Sequence, residues 1–506
     1  MPFRPWLPTL FAGALILGHP TQAQPLPALQ IALADDIDTL DPTIARTYSG
    51  RFVFAALCDK LFDIDEKLAI VPQLATSYEW VSPTTLLLRL RAGVLFHDGT
   101  KLDAAAVVAS LIRHLTLPGS TRRSEISAMA GAEAVDPLTV RVTLKSPSAP
   151  FLSQLTDRAG MIVSPTAAAA AGTNFALAPV CTGPFRFVER VAQDRIVLDR
   201  FDKYWDAGNI HFSRVTYRPI PDNAVKLANL QAGVIHIAER VAPTDIDRAR
   251  RDPRLTVAIY PGLGYNAINF NVANGKHADT PLGRSALVRK AFELAIDRKA
   301  LVDVVYNGAF TPVAQAMSPS NPLYNEALPP PSRDVAQARA LLAKAGVNPP
   351  VVVRLTVVNS PDQVQLAEVI QSMASEAGFD VRVVATEFAA ALAAQTGGDY
   401  EASTIGWSGR IDPDGNLYNA LSSGGALNET HYVNADVDRW LDAARATSEP
   451  AARKALYARI TQQIAADVPV MYLYNTALVV GMSAKLRGFR PVPDGLIRLQ
   501  GLLMAP

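Results

Sequence analysis

VPQLATSYEWVSPTTLLLRLRAGVLFHDGTKLDAAAVVASLIR, residues 71–113, carries the punctuation of a complete structural unit. Residues 78–90 offer two extended runs around the Ser82-Pro83 turn, and Asp98-Gly99 turns the chain ahead of a short helix. Asp103 can cap that helix, because its carboxylate accepts backbone N–H groups that the first turn leaves unsatisfied, while VVASLIRHL supplies the packed face.

Working outward, IALADDIDTLDP (31–42) begins as a strand, ends in acidic and proline turn signals, and is followed by an apolar FVFAAL run that stops at Cys58. It opens an α/β unit. Downstream, LTVRVTLKS (138–146), FRFVE (185–189) and RIVLDRF (195–201) read as short strands, so the first half is rich in sheet. The second half changes period, with helical signals at 284–299, 332–345, 361–377 and 451–467. VVVRLTVV (351–358), the LAEVIQSMASEAG helix and DVRVVAT (380–386) form a strand, helix, strand succession with Gly378 available to end the helix. That pattern predicts a right-handed crossover between parallel strands.

Composition bounds what such a chain can do. Its 506 residues are 49% hydrophobic and 19% charged, which requires several buried cores and excludes a disordered or fibrous chain. Lys plus Arg total 48 against 47 Asp plus Glu, so no broad field exists to attract nucleic acid or an anionic membrane. MPFRPWLPTLFAGALILGHPTQAQ carries one charge at Arg4, an apolar stretch too short to cross a bilayer, and small residues before a cleavage point after Ala23. Residues 1–23 are therefore expected to be a secretory signal, leaving a soluble, charge-balanced exported protein. Its two cysteines, Cys58 and Cys181, then admit either a disulfide or two separate buried thiols.

Candidate chemistry is sparse. His97, His114, His211, His236, His277 and His431 include no i,i+4 pair, so no metal site is expected. Asp35, Asp36, Asp38 and Asp41 lack the glycine and spacing of a calcium loop. No phosphate-cradling loop and no GxSxG elbow occur, so no cofactor and no catalytic residue is assigned. The most informative polar stretch is GWSGRIDPDGNLY (406–418), where Trp407 offers a flat apolar face and Arg410 a cationic fork able to hold an organic anion. Asp412 and Asp414 can meet a ligand amine, pair with an arginine or cap amides. A second stretch, YPGLGYNAINFNVANG (260–275), offers Tyr265, Asn266 and Phe270 either as pocket lining or as an interdomain strand, with Gly262 and Gly264 permitting close approach.

With these residues in view, the chain resembles the extracellular solute-binding proteins of peptide, opine and nickel ABC transporters from end to end. The order of PxLA, a tryptophan-bearing strand, LRxGVxFHDG and a following helix within 71–113 carries the likeness. TLDP (39–42), CTGPFRF (181–187), AFELAIDRKALVDVVYNG (291–308) and the tryptophan-to-DP segment at 407–413 add to it. The resemblance implies an α/β, periplasmic-binding-protein-like bilobal fold with an additional inserted domain, three lobes in all. The expected divisions are 24–57, 196–272 and 480–506 for domain I, 58–195 for domain II and 273–479 for domain III. It implies a non-catalytic, monomeric periplasmic receptor that closes on a small organic ligand, a peptide or an opine, and delivers it to an inner-membrane ABC permease. A hydrolase is the competing class. Where peptide binders of this family read W-x-A-D-Y, with the Asp anchoring an α-ammonium, this chain has Arg410, which turns the expectation toward carboxylate-bearing ligands. Cys181 replaces the first glycine of the usual GTGP, and Cys58 also departs from the pattern, which fits a Cys58–Cys181 disulfide.

Overall fold

The computed structural model describes residues 1–3 and 26–505; the expected signal segment therefore lies almost wholly outside the described residues. The 71–113 stretch folds as its punctuation dictates. Strands Ala75–Ser82 and Thr85–Leu90 pair antiparallel across the Ser82-Pro83 turn. Asp103 accepts the amide of Ala106 at 2.9 Å and starts helix Ala104–Thr116. With strands Thr139–Leu144 and Met129–Asp136 the hairpin completes a four-stranded antiparallel sheet. Alternation along these strands turns Leu86, Leu88, Val140 and Val142 inward, onto Val107 and Leu111 of the helix, to form a separate core.

Apart from two small two-stranded pairings, Phe62–Ile64 with Ile70–Pro72 and Leu486–Arg487 with Leu503–Met504, the remaining strands form one eleven-stranded sheet that serves two large cores. On one side, strand Ala28–Leu33 runs parallel to Arg214–Pro219 and buries Leu29, Ile31 and Leu33 against Phe52 and Phe54. On the other, Val351–Val358 and Phe379–Thr386 are parallel and joined by helix Pro361–Ser375, the expected crossover. Helix Ala286–Ala295 also packs there, but the helix expected through 299 breaks at Ile296-Asp297. Asp297 caps a new helix, Arg298–Tyr306, by accepting the amide of Ala300.

The two sides are joined by two long antiparallel strands, Leu255–Phe270 and Val470–Ser483. Residues 255–261 pair with 477–483 beside the first core, and 265–269 pair with 470–475 beside the other, with the register broken between Pro261 and Tyr265. The GLG segment supplies this break. A Cβ on Gly264 would sit 2.6 Å from the carbonyl oxygen of Trp407, so only glycine lets the neighbouring strand end approach so closely. Residues 260–270 of that stretch thus lie on a strand that passes between the two cores.

Three of the expected divisions do not coincide with a change of core. Strand Phe185–Val191, assigned to the inserted domain up to 195, pairs with Arg195–Arg200 in the large sheet, and Phe185 lies in the first core. The divisions drawn at 272 and 479 fall beyond the change of core, which happens inside the two crossing strands. Both passages lie inside strands that stay paired on either side, so no loop marks the change of core.

Candidate ligand site between the lobes

Strand Ala402–Trp407 pairs with the second half of the first crossing strand, setting Trp407 opposite Tyr265 and Gly406 opposite Asn266. Beyond Trp407 the chain reverses at Gly409, whose φ of +75° is left-handed and whose α-carbon packs onto Leu263. Asn416 fixes the turn. Its Oδ1 accepts from Trp407 Nε1 at 2.9 Å and from the Arg410 amide at 2.8 Å, and its Nδ2 donates to the Arg410 carbonyl at 3.2 Å. Nothing in the residue type distinguished Asn416 beforehand; only its place in the next helix, Asp414–Leu421, brings it here.

The turn aims Arg410 at the other lobes. Its guanidinium lies 4.9 Å from the centre of the Trp407 ring, and its Nη1 donates to the Gly409 carbonyl at 2.8 Å. Its Nε stands 3.3 Å from Asp157 Oδ2. Asp157 belongs to the inserted segment, and its Oδ1 accepts from Arg51 Nε at 3.2 Å, on the helix Tyr48–Leu57 beside the first core. All three lobes therefore meet at one carboxylate. Arg51, Gln154, Asp157, Leu263, Arg410 and Asp494 enclose a cavity of ≈ 20 Å³ there, room for about one water.

The junction is rich in positive charge. Burial disfavours the Arg410 and Arg158 cations, Arg158 strongly, with Arg122 adding repulsion. Burial also opposes the Asp157 charge, but Arg51, then Arg410 and Arg158, outweigh it and hold the carboxyl well below its usual range. Arg51 Nη1, Arg158 Nε and Asp157 Oδ2 are buried without a hydrogen-bond partner. The Arg410 charge lies 3.3 Å from Asp157 Oδ2, whereas the two arginine N–H groups are costly to bury until an acceptor meets them.

The other sequence candidates separate. Tyr265 packs edge-on to Tyr472, ring centres 5.1 Å apart, and Asn266 keeps a buried Oδ1 without a partner. Phe270 does not line a cleft: it is fully buried, edge-on to Phe292 at 5.8 Å, because alternation along the strand turns it into the core. Asp412 is engaged by Arg453, and Asp414 by Arg445, each through two hydrogen bonds. Neither is a free ammonium anchor. Cys58 and Cys181 are bonded, with Cα atoms 4.9 Å apart, and tie the end of the first helix to CTGPF inside the first core. Among the described residues there is no group of three or more His, Cys, Asp or Glu placed to hold a metal ion, and no helix long and apolar enough to cross a membrane.

A sheet shared by two lobes, crossed by two strands and closed over a charged junction to which an inserted lobe contributes, defines a bilobal solute-binding protein. Residues 69–428 match the family described as bacterial extracellular solute-binding proteins, family 5 Middle, and the chain belongs to that family. It is 29% identical to the glutathione-binding protein GsiB of Pectobacterium atrosepticum over 98% of both chains. Among solved structures it is similar to AgaA of A. tumefaciens R10 in complex with agropinic acid, at 27% identity and TM-score 0.84, over 95% of this chain and 99% of that one. It also resembles the Escherichia coli murein tripeptide binding protein MppA at 22% identity, over 96% of this chain and 99% of that one. The TM-score is 0.86 for one MppA structure and 0.71 for its unliganded open form, which covers 95% and 98%. The protein is accordingly a periplasmic, non-catalytic receptor of an ABC importer, which captures a small organic solute between two lobes and delivers it to the permease.

Proposed function

We propose that the solute is an amino-acid-derived compound bearing a carboxylate, a peptide or an opine, and that Arg410 holds that carboxylate beside Trp407, Tyr265 and Asn266. The observation that carries this reading is the position of Arg410, which projects from one lobe into a buried junction where Arg51 Nη1 has no partner. A guanidinium fork matches a carboxylate with two parallel, charge-assisted hydrogen bonds, and an anion arriving there offsets cations that burial disfavours. Glutathione and agropinic acid, the solutes that appear in the names of two relatives, both carry carboxylates, which supports the same class. The receptor acts as a monomer after removal of residues 1–23. Mass spectrometry of solute retained through native purification identifies the compound. Calorimetry with that solute should then show Arg410→Ala weakening it at least about tenfold with folding intact; unchanged affinity takes Arg410 out of the site.

A further inference from the structure

Four arginines and two carboxylates gather, largely buried, where the lobes meet. Arg51, Arg122 and Arg158 are 4%, 3% and 2% exposed. Asp157 faces Arg51, Arg158 and Arg410, and Glu125 faces Arg122. The neighbouring network, Arg498 and Lys60 with Asp494 and Asp63, is balanced within itself. Four cations against two anions therefore leave the junction with two positive charges in excess. A guanidinium does not shed its proton inside a protein, so the excess is relieved by an incoming anion and not by deprotonation. A solute carboxylate at Arg410 offsets one of the two charges.

The place for a second anion is marked. Arg51 Nη1 is buried without a hydrogen-bond partner, and Arg51 borders the ≈ 20 Å³ cavity at the junction. Gln154 borders it too, is 7% exposed and has an amide able to turn Nε2 toward it. Ile64 and Leu263 supply apolar wall, and Arg410 lies on the side of the helix-rich lobe. The carboxylates on the rim are already held, Asp157 by Arg51 and Arg410, and Asp494 by Arg498 at 2.6 and 2.9 Å. Room for about one water excludes sulfate and phosphate and leaves a monatomic ion. A water molecule would satisfy the Arg51 N–H but leave the buried charge uncompensated.

We infer that this cavity is a halide site, taking chloride on Arg51 Nη1 and the Gln154 amide, opposite the Arg410 cation. Arg51 stands on the helix beside the first core, Gln154 in the inserted segment and Arg410 in the helix-rich lobe, so the ion meets all three lobes. An ion held in this way binds the packed lobes better than the parted ones and favours their packed arrangement. The site does not depend on what the solute carries.

The test is thermal unfolding of the dialysed mature receptor in sodium gluconate, with chloride or bromide substituted at fixed ionic strength. The melting temperature should rise by at least about 2 °C along a saturating curve. Gln154→Leu should reduce that rise and Arg51→Met abolish it. Because Arg51→Met also removes a partner of Asp157, crystals of the unaltered receptor grown in bromide give an independent reading: an anomalous peak within hydrogen-bond reach of Arg51 Nη1 and Gln154 Nε2. Melting indifferent to halide, a rise that never saturates, a rise unchanged in Gln154→Leu, or bromide crystals without that peak each overturn the inference.

Discussion

Arg453 donates two hydrogen bonds to Asp412, Nη1 to Oδ2 and Nη2 to Oδ1, both 2.7 Å long. The pair ties helix Pro450–Asp467 to the turn beneath Arg410, and both side chains are largely buried. Asp412→Ala would leave the Arg453 cation buried alone and should cost about 3–5 kcal/mol in urea unfolding. Replacing both residues with apolar ones of similar volume should recover much of that loss. A loss under about 1 kcal/mol for the single variant would show that Asp412 is not a structural partner.

The Cys58–Cys181 bond closes a long loop in the denatured chain. Reduction, or a Cys58→Ala, Cys181→Ala double variant, should lower stability by about 2–5 kcal/mol. Thermal unfolding with and without reductant measures it, and identical transitions would contradict the expectation.

Gly409→Ala places a side chain against the Leu263 carbonyl in a left-handed conformation. The Ser408–Ile411 turn must then shift, at a cost of about 1–3 kcal/mol. Arg410 moves with it, so solute affinity should fall along with stability. Calorimetry and thermal melts report the two effects, and a variant with both unchanged would refute the role given to this turn.

His114 is fully buried, with Nδ1 accepting from the Thr43 hydroxyl and Nε2 donating to the Met161 carbonyl, each 3.0 Å. Burial pushes its pKa down to about 4, as it does for His97. A folded pKa below the unfolded value means that the unfolded chain binds the proton first. Stability from each histidine is therefore present above about pH 6.5 and is lost as pH falls toward 4, by up to about 3 kcal/mol. Urea midpoints taken between pH 7 and pH 4.5 should decline, and His114→Gln should flatten the decline. An unaltered slope in that variant would exclude His114 as a source.

Much of the fold was legible because local rules wrote it. The Ser82-Pro83 turn, the Asp103 cap and the strand, helix, strand run at 351–386 each depend on neighbours within a few residues, and each appears where expected. The break at Asp297 was missed because helical apolar periodicity continues across it; the signal, a good capping residue in mid-pattern, was present and outweighed. Phe270 was misplaced because strand alternation gives two faces without saying which one is the core.

Sequence by itself determined the local strands, turns and helices and, through the family likeness of residues 71–113, the class of this protein with its three-lobed plan. Tertiary structure alone decided which charges Arg410 meets. Asp157, Arg51 and Arg410 lie far apart in the chain and converge only where the three lobes pack together, and Asp412 is withdrawn from ligand duty by an arginine 41 residues away. Secondary structure follows from interactions along a few residues of backbone, whereas the pairing of buried charges depends on which surfaces the packed cores bring together.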